Sequence, residues 1–202
     1  MKIFTRTLLL AALTTASAVF AACSDKTEAP TPADPDPAFR MGSYFDFTTI
    51  TPAGGTAHSG FGTTHSPLDI KGSAVLDTNV LALNFAAGAD DAHFEVDRAK
   101  LGADWLGTYT LRCRNRPTDA VFTSYVHSAN GVSSIYRFSD FTLDLTGDVT
   151  ITTYDAKRQL VSGHYEVRAP EQLDPTNTGT SNAPKCTILL AGDFENVKVK
   201  TQ

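Results

Sequence analysis

His93, Glu95 and Asp97 alternate along one short run of the chain, with Asp90 and Asp91 just ahead of them. On a strand, alternate residues share a face about 7 Å apart, so these side chains can converge on a cation. A solvated polar face has the same spacing and is the simpler reading. Calcium takes about six to eight oxygens, and no EF-hand spacing, HExxH or Cys-x-x-Cys is present. No metal or other cofactor is expected. His58-Ser59 and His65-Ser66 fall in a stretch rich in Gly and Thr, Thr51 to Pro67. A serine nucleophile needs a base and an orienting acid in fixed geometry, and no G-x-S-x-G elbow occurs. Gly60-Phe61-Gly62 lacks the strand-to-helix setting of a phosphate loop. No catalytic residue is assigned, and the chain reads as a non-enzyme.

Aromatic residues give the remaining hint. Tyr125 and His127 alternate with Val126, on the face opposite Phe122 and Val126. Together with Trp105 and Tyr154 they are expected to be partly exposed. Planar rings beside Asp and Asn suit a glycan or a partner protein, and they suit cross-strand packing equally.

Three cysteines fix the setting. Lys2 and Arg6 precede an uncharged run, Leu8 to Ala22, whose apolar part is followed by small residues. That is the layout of a secretory signal, and it is shorter than the roughly 20 residues needed to span a bilayer. The small pair Ala21-Ala22 directly before Cys23 resembles the lipobox of bacterial lipoproteins, with Phe20 in place of the usual Leu or Val. The resemblance implies cleavage after residue 22, acyl chains such as palmitate on Cys23, and a membrane partner reached through that anchor. Ser24 after the cysteine implies the outer membrane. Residues 23–40 carry prolines at 30, 32, 35 and 37 and almost no apolar residue, which predicts a disordered, extended tether. Cys113 and Cys186 each share parity with apolar neighbours, so both are expected in the core, and an oxidising compartment permits a disulfide between them.

The chain has 17 Lys and Arg against 22 Asp and Glu. Loss of Lys2 and Arg6 with the signal leaves 15 cations against the same 22 anions, a formal −7. That balance argues against a nucleic-acid partner, which requires a basic face.

Residues 41–202 make one domain by length. Its apolar residues alternate with period two: Phe94 and Val96, Val149 and Ile151, Tyr165, Val167 and Ala169, and Val197 and Val199. Phe141, Leu143 and Leu145 follow the same rule. Further strands are expected at 44–50, 74–76, 80–85, 108–112, 121–127, 135–138 and 186–190, with a hairpin connection at Tyr154 to Gln159 and one short helical turn within 98–106. About ten short strands with one-sided alternation predict an all-β, antiparallel β-sandwich, or as the alternative a β-barrel. Thr51 to Pro67 and Pro170 to Pro184 read as long loops.

Gly147 to Ala169 and Cys186 to Lys200, with the segment Gly192-Asp193-Phe194-Glu195-Asn196-Val197 and the earlier Leu106 to Leu111, resemble uncharacterised Bacteroidota lipoproteins. The resemblance implies a β-sandwich-like domain on a lipid anchor, and no substrate or catalytic residue. The expectation is therefore a lipid-anchored cell-envelope protein with a binding or structural role. A barrel carrier of small ligands and a hydrolase with an unrecognised site are the alternatives.

Overall fold

The computed structural model describes residues 33–177 and 183–202, and residues 34–202 form one compact unit. The expected signal, Cys23 and most of the expected tether lie outside the described residues. The unit is nearly all β, in eleven strands: β1 (Ala38–Ile50), β2 (Thr56–Thr64), β3 (Lys71–Leu76), β4 (Val80–Ala87), β5 (Asp90–Asp97), β6 (Gly107–Thr110), β7 (Val121–Ala129), β8 (Val132–Tyr136), β9 (Thr146–Asp155), β10 (Leu160–Leu173) and β11 (Lys185–Thr201). A 3-10 turn at Arg98–Lys100 and a one-turn helix at Phe138–Phe141 complete it.

The strands run as one open sheet with two halves. The first half has the order β2-β1-β11-β10-β9-β6, and the second β3-β4-β5-β7-β8. β11 joins them: it lies antiparallel to β1 and β10, and its end pairs parallel with β3 from Val199 to Thr201. Just past β6, Leu111 touches Val121 of β7 at an isolated bridge rather than a ladder. The all-β, sandwich-like expectation holds, in an open sheet and not a closed barrel.

The halves face each other across an aromatic core. Phe85 of β4 stacks on Tyr165 of β10 at 5.1 Å and meets Phe194 of β11 at 5.4 Å, and Phe94 of β5 meets Tyr165 at 4.7 Å. These rings are fully buried, with Leu81, Leu83, Leu111 and Ile151 around them. The alternation read from β5, β9, β10 and β11 is the alternation observed, because each of these strands packs one face on this core. Gly163 faces the carbonyl oxygen of Thr150 so closely that a Cβ would not fit. It sits at the bulge between Ser162 and Gly163 that bends β10 across the sheet.

Several boundaries differ from expectation, among them β10, which runs on to Leu173 through the start of the Pro170 to Pro184 stretch read as a loop. β1 starts at Ala38, inside the stretch read as tether, because Phe39 enters the core edge-on to Phe85 at 6.2 Å. Much of the Gly-rich stretch is β2, not loop. The two short terminal strands are one 17-residue strand, β11. Phe141 to Leu145 is no strand: Phe141 closes the one-turn helix and is exposed, and only Thr142 and Leu145 turn inward.

Cys113 and Cys186 are both buried, as their parity requires, but they are free thiols and not a disulfide. Cys113 sits in a tight turn where its amide and carbonyl both bond Arg116. Cys186 lies opposite Gln172 on β10. Parity sets the direction of a side chain, not its position along the sheet.

Candidate functional site

Tyr125 and His127 are not on the surface. Tyr125 is fully buried and His127 nearly so, while Phe122 and Val126 take the outer face of β7. The inversion has a partner that local sequence does not reveal. Asp90, at the start of β5, is buried between the halves, and β5 pairs with β7 so that Asp90 lies opposite His127. One oxygen, Oδ1, accepts from Tyr125 OH at 2.5 Å and from His127 Nδ1 at 2.7 Å. The other, Oδ2, accepts from Ser43 Oγ at 2.8 Å and His65 Nε2 at 2.8 Å. Ser43 comes from β1 in the first half, so the carboxylate ties the two halves together.

A buried carboxylate is costly unless hydrogen bonds satisfy it. Burial alone raises the Asp90 pKa, but the bonds from Tyr125, His127, His65 and Ser43 outweigh it and hold the carboxyl below its ordinary value. Burial and the Asp90 charge push the Tyr125 hydroxyl well above the usual phenol range, so it stays a donor. Phe45 packs edge-on to the His127 ring at 5.1 Å. Chemically the cluster is a closed knot. Ser43 donates to the acid, not to an imidazole, so no relay from serine through histidine to aspartate is set up.

The other titratable group from the sequence, His93 with Glu95, lies on the outer face of the second half. His93 Nε2 meets Glu95 Oε1 at 3.1 Å and its Nδ1 meets Asn84 Oδ1 at 2.5 Å. Asp97 instead caps the 3-10 turn by accepting from the Ala99 amide. No group of three or more His, Cys, Asp or Glu suited to a metal ion occurs among the described residues.

Trp105 is half-buried, and its ring lies parallel on Tyr154 at 3.9 Å with an interplanar angle of 10°. Its backbone is left-handed, φ 62°, and its carbonyl accepts from Tyr109 OH at 2.8 Å. One face of each ring is thus spent on the other.

An exposed aromatic that sequence reasoning missed is Tyr44 on β1; Phe61 and Phe141 are exposed as well. Tyr44 stands opposite Gly62, and its ring runs back over Gly60. A Cβ on Gly60 would come within 2.5 Å of Tyr44 Oη, and one on Gly62 within 2.8 Å of Cδ2. The two glycines therefore let the ring lie on the β2 backbone with its other face to solvent, 41% exposed. Beside it, across the strands, runs a shallow trough floored by Gly42 and Ala191, which are register partners. It holds a depression of about 460 Å³ against Tyr44 and Thr64, and one of about 380 Å³ bordered by Thr146, Glu166 and Arg168. The two share Leu189, Leu190 and Ala191. Sequence held one signal for this: Gly60 and Gly62 alternate about Phe61, which is period two with one face empty. No protein-family model matches the chain, and no curated protein matches it.

Proposed function

We propose that this protein is a non-enzymatic binding module of the cell envelope, held by acyl chains on Cys23, whose contact surface is the outer face of the first half-sheet around Tyr44. The observation that carries the reading is the Tyr44 ring laid on Gly60 and Gly62 beside a trough that crosses the strands. An open sheet face with one free ring is a surface for contact, not a reaction chamber. The filled interior supports the same reading over a barrel carrier, since Phe85, Phe94, Tyr165 and Phe194 occupy the space a ligand would need. The closed bonding around Asp90 supports it over a hydrolase. The sequence before Cys23 supports lipid anchoring, with several acyl chains contributing about 0.8 kcal/mol per buried methylene, and Ser24 after it supports the outer membrane.

Fractionation of native cells tests the anchor. The protein is expected in the membrane fraction with residues 1–22 removed and acyl mass on Cys23, and Cys23→Ser is expected in the soluble fraction. Persistent membrane association of Cys23→Ser overturns the anchor. The contact surface is tested by a photo-crosslinking residue in place of Ala191, in cells. An adduct lost on Tyr44→Ala supports the reading, and no adduct together with no ligand binding that depends on Tyr44 overturns it.

A further inference from the structure

We infer that the ligand of the Tyr44 face is an uncharged saccharide chain lying along the trough across the strands; this rests on the reading of that face as the contact surface. Three features of the face point to it. The first is the ring itself. A single aromatic plane, flat on the sheet and open on one side, offers a stacking surface to the C–H face of a pyranose.

The second is the mixture of donors and acceptors around it. Opposite Ala191 and Leu189 on β10 stand Glu166 and Arg168, and beyond them on β9 stand Asp148 and Thr146. Among the described residues neither Glu166 nor Arg168 has an ion-pair partner; Arg40 and Asp193, one row along, are paired with each other at 3.8 Å. Glu166 and Arg168 share a face about 7 Å apart. A carboxylate that only accepts and a guanidinium that only donates, so placed, can each take hydroxyls of neighbouring sugar units. The hydroxyls of Thr64 and Thr146 lie at opposite ends of the trough.

The third is charge and shape. The face mixes acids (Glu166, Asp148, Asp193) with bases (Arg40, Arg168), and the chain is net acidic at −5, so nothing there selects an anionic polymer. The apolar part is narrow: Tyr44, Leu189 and Ala191 between glycines and polar residues. A protein partner is better served by a contiguous apolar centre with several large anchors. A trough running across the strands, with the Tyr44 ring beside it, fits a chain of rings.

The test is titration calorimetry on the full mature chain as purified from cells, with hexasaccharides of glucose in β-1,4 and in α-1,4 linkage, mannose, xylose and N-acetylglucosamine. At least one is expected to bind with Kd of about 1 mM or tighter. Tyr44→Ala is expected to weaken it about tenfold or more, and Tyr44→Phe to retain it. Tyr44 covers backbone, so Arg168→Ala, on an exposed position, gives an independent readout: a loss of several-fold with an unchanged circular dichroism spectrum. Binding that survives both Tyr44→Ala and Arg168→Ala overturns the inference. If none of the sugars binds but the photo-crosslinker at position 191 captures a protein, the saccharide is wrong and the contact surface stands. If neither occurs, both fall.

Discussion

Replacing Asp90 by alanine removes one carboxylate and strands four donors: the hydroxyls of Ser43 and Tyr125 and the ring N–H groups of His65 and His127. A buried donor without a partner costs about 1–3 kcal/mol, and bonds to a charged group are the stronger ones. The four losses do not add, because the hydroxyls can turn toward each other and water can enter the space. We expect a loss of about 3–5 kcal/mol, the range for breaking a buried charged network. For a domain of this size that lowers Tm by roughly 6–20 °C. Asp90→Asn keeps the shape and one acceptor oxygen, so a smaller loss of about 1–2 kcal/mol is expected. The assay is urea unfolding followed by near-ultraviolet circular dichroism, with pH as the second axis. The folded-state pKa of Asp90 lies below its ordinary value of 3.8. Its stabilisation is therefore present above about pH 4 and is lost as pH falls through the depressed value. Asp90→Asn should flatten that acid limb. A loss below about 1 kcal/mol for Asp90→Ala, or an acid limb unchanged in Asp90→Asn, refutes the view that this knot fastens the two halves.

Other predictions concern the rest of the fold. Tyr165 OH is buried without a hydrogen-bond partner among the described residues, so Tyr165→Phe should leave stability unchanged or raise it by about 1 kcal/mol; a clear loss in chemical denaturation would show a bond to that hydroxyl. Gly147 has φ 123°, and a Cβ there would strike the Glu166 carbonyl, so Gly147→Ala should cost about 2–4 kcal/mol, read by the same denaturation. Ellman's reagent on the non-reduced mature protein should find no fast thiol while it is folded and two once it is unfolded, since Cys113 and Cys186 are buried and free and burial pushes the Cys186 thiol up to about 12. Two thiols missing after unfolding would establish a bridge.

Much of this architecture is legible residue by residue. Phe94 and Val96, Tyr165 and Val167, and Val197 and Val199 are inward because each strand has one wet face, and period two is all that this requires. β7 was misleading for a physical reason. Its inward set includes Thr123, Tyr125 and His127, polar residues whose burial is stabilised by Ser139, His93 and Asp90. Those partners come from other elements, and no local pattern announces them. β2 was hidden in the same way, because the side chain that covers its glycines belongs to Tyr44 on the neighbouring strand. The expected disulfide failed since alternation carries no information on how far along the sheet two cysteines lie. The Asp90 knot and the Tyr44 platform are both products of pairing between distant segments, and pairing is what a single sequence expresses least.

The position of β11 sets the order in which the molecule can form. Ala38 pairs with Glu195, and Val199 with Ala74, so β1 and β3 both wait for β11, a strand far from either in sequence. Until it emerges, β1 has only β2 beside it, and β3 lacks its parallel neighbour. Such long-range closure slows folding and keeps the growing chain open. Under the proposed anchoring at Cys23, delayed closure would keep the polypeptide unfolded through export and let it complete itself on the far side.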